Sequence, residues 1–198
     1  MMNKKWLVPG IIIGIVVVLG LIFAGSYNGL VSQREAVTAS FSKVQSQYQR
    51  RADLIPNLVN TVKGAANFEQ STLTQVTEAR AKATSIQLDP SKATPEQIQE
   101  YQQAQGDVTS ALSRLLAVTE NYPQLQATQA FRDLQVQLEG TENRIAVARN
   151  DYNDVARPYN TRLQTFPTNV IAGMFGFEKK PYFEAEQGSD TAPTVDFN

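Results

Sequence analysis

The feature that most constrains this chain is an uncharged apolar run near its start. Residues 6–25 read WLVPGIIIGIVVVLGLIFAG and carry no charge. A helix of about 20 residues spans about 30 Å, the hydrocarbon thickness of a bilayer, whereas the apolar core of a cleaved signal peptide usually has about 7–15 residues. We therefore expect residues 1–25 to form an uncleaved N-terminal transmembrane anchor, which makes the lipid bilayer a partner of this chain.

The cations that flank the run indicate an orientation. Lys4 and Lys5 precede it, and the nearest cations after it are Arg34 and Lys43. Because positive charge near a span is retained on the cytoplasmic side, we expect a single-pass membrane protein with a defined orientation. Its N-terminus would be cytoplasmic, and the rest of the chain would lie outside the cytoplasm.

Two glycines inside the run have a spacing of interest. Gly10 and Gly14 form a GxxxG pattern, which lets membrane helices approach closely. Glycine is also simply common in membrane helices. The pattern therefore marks a candidate helix-packing face, and the general frequency of glycine in membrane helices is the alternative explanation.

The residue types that are missing exclude several classes of function. The chain has 198 residues with neither Cys nor His, so disulfides, thiol nucleophiles, histidine bases and histidine-ligated zinc sites all lack their parts. The 18 basic residues are balanced by 19 acidic ones, which gives no electrostatic footprint for nucleic acid. We expect no cofactor, no metal and no nucleic-acid partner.

The rest of the chain shows helical periodicity. Apolar residues recur at steps of three and four in four stripes, at 30–62, 73–83, 98–115 and 131–159. Turn-forming sequences separate them: GAAN, QLDPS and NYP. No segment alternates with the period of a strand. The sequence therefore predicts an all-α protein, with an elongated antiparallel four-helix bundle over residues 26–165.

The lengths of these stripes predict an uncovered region near the membrane. The first and fourth helices should have about 35 residues and exceed the other two in length, so the shorter pair can cover only their distal part. The apolar segment 166–183 follows the fourth helix as it returns to the membrane, and it offers Phe166, Phe175 and Phe177 as contacts. It could fold back on the bundle, contact lipid headgroups or pack against another subunit. Residues 184–198 are expected to form a flexible polar tail.

Arg51 and Pro56 are unusual residues for the first stripe. Arg51 falls on the apolar seam, where an unpaired charge would be costly, and Pro56 removes the amide that would bond the Ala52 carbonyl and predicts a kink. A buried ion pair is the expected explanation, and a polar ligand site is the alternative. The candidate carboxylates on other helices are Glu120, Asp133 and Glu139.

Polar residues recur on the seam closer to the membrane. Tyr152-Asn153 and Tyr159-Asn160 repeat one heptad apart in the fourth helix. In an antiparallel pair Arg34 faces the level of Tyr159, so its guanidinium could stack on that ring or bond the Asn160 amide. We expect Tyr152 and Tyr159 to pack in the seam with their hydroxyls on a partner, and a recognition surface is the alternative.

Glu139 and Glu142 form a second candidate constellation. Two carboxylates three residues apart on a helix can bind a divalent cation or perform acid–base chemistry. Pairing within the helix is the expected role here, because Asn143 and Arg144 follow Glu142 directly.

Longer motifs resemble a known family. They are YNGLV (27–31), RRADLIPNLVNTVKG (50–64), VTEARAKA (76–83), ENYPQLQATQAFRDLQVQLEGTENRIAVARNDYND (120–154) and FPTNVIAGMFGF (166–177), and together they are similar to the LemA family. The resemblance implies a bacterial membrane protein with an N-terminal anchor and a helical bundle, and it implies no particular catalytic activity. Ala66 and Phe68 stand where the family often has Tyr and His, and Pro158 is a further departure.

These observations favour a non-enzymatic, membrane-anchored interaction or scaffold protein with an unidentified protein partner. The alternative is a protein that organises or shapes the membrane by homo-oligomerisation. An enzyme would require a polar pocket that brings together Glu120, Arg51 and Tyr122.

Overall fold

Every regular secondary-structure element in the described part of the chain is a helix. The structure is a computed structural model that describes residues 4–65 and 68–183, with side chains from residue 9 onward. Within these ranges it contains no strand, which confirms the all-α prediction. The helices are α1 (Lys4–Lys63), α2 (Gln70–Ser85), α3 (Pro95–Thr119), α4 (Pro123–Gln126), α5 (Gln129–Arg162) and α6 (Thr168–Phe175). The predicted polar tail lies outside the described residues.

Helix α1 runs from the apolar segment into the bundle without a break. It has 60 residues, which corresponds to a length of about 90 Å. Side chains 9–25 are all exposed, and this is the one helix in the described ranges that is long and apolar enough to cross a membrane. The domain boundary predicted after Gly25 therefore falls inside a continuous helix.

The distal part of the molecule is a four-helix bundle. Helix α5 packs along α1, and the shorter α2 and α3 cover the end farthest from the anchor. The distal core includes apolar residues of all four helices: Ile55, Leu58, Val62, Leu73, Val76, Leu112, Leu115, Phe131 and Leu138. The start of α3 follows the local sequence, since Thr94 and Gln97 form a capping box.

The proximal part is built differently, from α1 and α5 covered by the C-terminal segment and by the start of α3. Leu30, Val37 and Phe41 meet Tyr152 and Tyr159 in one core cluster. The C-terminal segment adds Ala172 and Phe183 to this cluster, and α3 adds Ile98 and Tyr101. Gly176 ends α6 in the left-handed conformation, with φ of 67°, and this turns the chain back along the bundle. We call residues 177–183, which follow this turn, the C-terminal strap.

Candidate interaction site

Arg51 lies in the middle of the bundle, and 1% of its side chain is exposed. Its Nη1 donates to Glu142 Oε1 at 3.0 Å and to Thr109 Oγ1 at 2.7 Å. Its Nη2 donates to the Gln105 backbone oxygen at 3.0 Å and to Gln105 Oε1 at 2.7 Å. The guanidinium also lies 5.2 Å from the centroid of the Tyr48 ring. This network joins α1, α3 and α5 and compensates for the burial of the charge.

The ion pair is thus present, but the three carboxylates predicted for it were wrong. Glu120 and Asp133 are exposed near the distal ends of α3 and α5, and exposed Glu139 accepts a hydrogen bond from the Gln135 side chain at 3.0 Å. The antiparallel register places Glu142, one turn beyond Glu139, opposite Arg51. Periodicity identifies the face of a helix that points to the core, but it does not fix the register between two helices.

The same contact corrects the interpretation of Glu139 and Glu142. Glu142 pairs across the bundle with Arg51 and not within α5, because the buried guanidinium offers a stronger, charge-assisted bond than a solvated neighbour. No cluster of three acidic side chains suited to a metal ion occurs in residues 4–65 and 68–183.

Pro56 lies inside α1 without ending it. The carbonyl of Ala52, which loses its helical donor because proline has no amide hydrogen, accepts a hydrogen bond from Arg80 Nε of α2 at 2.7 Å. Ala52 is buried, with 8% exposed, so water is a poor substitute for this donor. Arg80 therefore replaces the missing backbone bond and ties α2 to α1.

We expect Arg80→Ala to lower the free energy of unfolding by about 1–3 kcal/mol, because it leaves the Ala52 carbonyl without a donor. In a Pro56→Ala background the restored amide should supply that donor, so the cost of Arg80→Ala should fall by about 1 kcal/mol or more. Urea unfolding of the four proteins of this cycle, followed by circular dichroism, measures the coupling. Lys82→Ala, which removes an exposed ion pair with Asp107, is the matched control. Purely additive effects of Arg80→Ala and Pro56→Ala would contradict the assignment.

The Tyr-Asn pairs of α5 hold the backbone of the strap. Asn160 donates from Nδ2 to the Lys180 carbonyl at 2.7 Å and accepts from the Lys180 amide at 2.9 Å. Asn153 makes the same two bonds to the Phe183 carbonyl, at 2.8 Å, and to the Phe183 amide, at 2.9 Å. All four bonds are made to the backbone of the strap. We call these two asparagines, together with the tyrosine that precedes each of them, the Tyr-Asn clamp.

The tyrosines of the clamp repeat the same register. The hydroxyl of Tyr159 donates to the Glu178 carbonyl at 3.1 Å, and that of Tyr152 donates to the Pro181 carbonyl at 3.0 Å. Each step of seven residues along α5 therefore corresponds to three residues along the strap. Seven helical residues rise about 10.5 Å and three extended residues about 10 Å, so the two repeats stay in phase.

Burial raises the pKa of the tyrosine hydroxyls of the seam above an ordinary value that already keeps them protonated at neutral pH. It raises the pKa of Tyr152 well above the ordinary value and also raises the pKa of Tyr159. The pKa of Tyr101, on α3 in the same core, is raised to about 12 by burial. The two clamp hydroxyls therefore donate to the strap throughout the physiological pH range.

Arg34 does not stack on the ring predicted for it. Its guanidinium lies 5.2 Å from the centroid of the Phe177 ring, and its Nε lies 3.8 Å from Glu35 Oε1. The Asn160 amide, the other predicted partner, bonds the strap instead. The reason is that the strap runs past this level of α5 and presents Phe177 to Arg34.

The predicted phenylalanines have different environments. The ring centroid of Phe175 lies 5.8 Å from that of Phe23 and 4.9 Å from that of Tyr27, and Phe177 lies 5.9 Å from Tyr27. The segment thus folds back on α1, the first of the three predicted alternatives. Phe166, by contrast, is 84% exposed.

No other element of the described residues packs against the glycines of the GxxxG pattern. A Cβ added at Gly10 or Gly14 would meet no other side chain or neighbouring element within 4 Å. Their face is therefore sterically accessible for packing against another membrane helix.

Glu120, Arg51 and Tyr122, the residues considered for a catalytic pocket, do not line one cavity. Arg51 lines a groove of about 590 Å³ between α1, α2 and α3, whereas Tyr122 lines a separate cavity of about 850 Å³ at the distal end. Glu120 lines neither of these cavities. The catalytic arrangement considered from the sequence is therefore not formed.

Together, the apolar N-terminal third of α1 and the bundle built on the rest of this helix define a class: helical proteins associated with a membrane. Comparison of the sequence with known families narrows this class. The LemA family model matches residues 40–197, and the chain belongs to the LemA family.

Individual relatives agree with this assignment. Magnetosome protein MamQ 2 of Paramagnetospirillum magneticum is 29% identical over 182 residues, which cover 83% of this chain and 67% of the relative. MamQ of Magnetospirillum gryphiswaldense is 27% identical with the same coverage. Protein LemA of Metamycoplasma hominis is 24% identical over 166 residues, which cover 84% of this chain and 72% of the relative.

Proposed function

We propose that this protein is a non-enzymatic scaffold that holds a rigid helical bundle at a membrane surface and binds another protein there. The observation that carries the proposal is the continuity of α1, because one helix serves as the anchor and as the main element of the core. From Ser26 to Lys63 this helix extends about 55 Å beyond the apolar run. Such a rod carries its distal surfaces away from the bilayer.

The interior of the bundle supports a role in binding over one in catalysis. Its buried charge, Arg51, is neutralised by Glu142 and bonded to Gln105 and Thr109. A guanidinium held by an ion pair and these hydrogen bonds ties the helices together and is not available to activate a substrate.

The outer face of α5 offers a place for the partner. Apart from the anchor and the C-terminal segment, the large hydrophobic side chains exposed on the described residues are Val136 and Val147. They are eleven residues apart, close to three helical turns, and therefore share one face of α5.

The native setting we propose is the bacterial inner membrane, with a cytoplasmic N-terminus and an external bundle. The two lysines before the apolar run support this orientation.

A single labelling experiment tests orientation and binding together. We expect Val147→Cys, in this Cys-free chain, to react in spheroplasts with a membrane-impermeant maleimide that carries a photo-crosslinker. Illumination should then give one adduct of defined mass with another protein. Gln103→Cys, on the exposed face of α3, should react equally and give no such adduct. Reaction only after permeabilisation would contradict the orientation, and recovery of the uncrosslinked chain alone would contradict the scaffold.

Self-assembly through the anchor is the second candidate, and the open face at Gly10 and Gly14 favours it. In the same experiment, adducts between two copies of the chain would support this candidate. Gly14→Leu should then abolish them, whereas Gly20→Leu, on a different face of α1, should leave them unchanged.

A further inference from the structure

Helix α6 lies where the apolar run of α1 ends. The run extends to Gly25, and the aromatic contacts of Phe175 are to Phe23, just inside this end, and to Tyr27, just beyond it. Ser26 and Leu30 of α1 are the first buried residues after the exposed run. The C-terminal segment therefore begins to cover α1 at the level of the bilayer surface.

The end of α5 and the start of the strap both lie beside the same part of α1. The end of α5 reaches it, because the Arg162 guanidinium carbon lies 2.7 Å from the position of a Cβ added at Gly29. The strap leaves it again, from Phe177 beside Tyr27 to Phe183, which stacks on Phe41 at 6.1 Å. The turn between α5 and the strap, which contains α6, is thus the part of the body nearest the anchor.

The two faces of this turn differ in burial. Thr168, Ile171 and Ala172 are buried. Phe166, Val170 and Met174 are 84%, 54% and 68% exposed. Val170 and Met174 are four residues apart on α6 and share one face of it, and Phe166 is exposed in the turn just before this helix. We call these three residues the exposed apolar stripe.

We propose that α6 is a second membrane contact, whose exposed stripe inserts into the interface of the bilayer that the anchor spans. The occupant of this face is phospholipid, because the stripe continues the lipid-exposed surface of the anchor at the level where the apolar run ends. An apolar helix face of this kind lies in the interface plane at the boundary between headgroups and acyl chains. Lys179 and Lys180 follow the stripe, with Glu178 as the one acid beside them, so anionic headgroups suit its polar edge.

This contact has a consequence for the whole rod. An anchor alone leaves the bundle free to tilt and to rotate about α1, whereas a second attachment beside it restricts both motions. α6 therefore fixes which side of the bundle faces the membrane and which side faces away.

The experiment uses the full chain in vesicles of phosphatidylcholine and phosphatidylglycerol, with an environment-sensitive NBD fluorophore on a single cysteine. Val170→Cys reports on the stripe, and Val147→Cys is the control, because Val147 is an equally exposed valine on α5. Both sites are on the surface, so the fold is preserved, and circular dichroism checks this. Quenching is measured with aqueous iodide and with phosphatidylcholine that carries a doxyl group near its headgroup.

We expect iodide quenching to be several-fold weaker at position 170 than at position 147, and doxyl lipid to quench the label at 170 only. Equal iodide quenching at both positions would overturn the proposal, because the stripe would then face water. Protection of position 170 from both quenchers would overturn it as well, because the stripe would then be covered by protein. Neither result depends on the identity of a scaffold partner.

Discussion

Arg51→Ala is expected to lower the free energy of unfolding of the bundle by about 2–5 kcal/mol, the range found when a large buried side chain is truncated to alanine. The carboxylate of Glu142, which is 38% exposed, stays hydrated and adds little to this loss. The substitution removes the bonds to Glu142, Thr109 and Gln105 and leaves a cavity between three helices. It also leaves the Gln105 oxygens without their guanidinium donor in the core. Urea unfolding in mild detergent, followed by far-ultraviolet circular dichroism, measures the change.

Two further variants separate charge from geometry. Arg51→Lys keeps the charge, but an ammonium cannot reproduce the planar fork that reaches both Glu142 and Gln105, so it should remain clearly destabilised. Arg50→Ala removes the exposed neighbour and should change stability by less than about 0.5 kcal/mol. A loss for Arg51→Ala no larger than that for Arg50→Ala would mean that the network does not stabilise the bundle.

The second large effect is expected for the double variant Asn153→Ala/Asn160→Ala, which should release the strap. It removes four hydrogen bonds to the strap backbone. At about 0.5–1.5 kcal/mol each these amount to at least about 2 kcal/mol of local stability. Local opening should therefore become at least roughly 30-fold more frequent.

Trypsin provides the measurement, because the bond between Lys179 and Lys180 lies inside the strap. We expect the rate of cleavage at this bond to rise by the same factor, with loss of residues 180–198 detected by mass spectrometry. Asn150→Ala, an exposed asparagine on the same helix, should leave the rate unchanged. An unchanged rate in the double variant would show that the clamp does not hold the strap.

The tyrosines of the clamp should contribute less than the asparagines. Tyr152 and Tyr159 each donate one bond to the strap, and their rings remain packed in the core if only the hydroxyl is removed. Most of the specificity of the clamp therefore resides in Asn153 and Asn160, which bond both polar groups of one strap residue. The heptad spacing of the two pairs was visible in the sequence, but the strap as their partner was not.

Arg80 was not identified as important from the sequence, because nothing local marks it. The only available signal was Pro56, which guarantees that the Ala52 carbonyl lacks its helical donor. Which side chain would supply a substitute depends on how α2 packs against α1. The same limitation explains the wrong carboxylates for Arg51, since Glu139 and Glu142 both lie on α5 and differ only in register.

The sequence by itself determined the apolar segment, the helical class, the turns between helices and the face that each helix buries. These features depend on length, composition and local periodicity, which need no knowledge of distant residues. Only the tertiary structure decided that Glu142 neutralises Arg51, that Phe177 meets Arg34 and that the strap occupies the Tyr-Asn clamp. Each of these contacts joins residues far apart in the chain, and the relative shift of two helices by a single turn would exchange one partner for another.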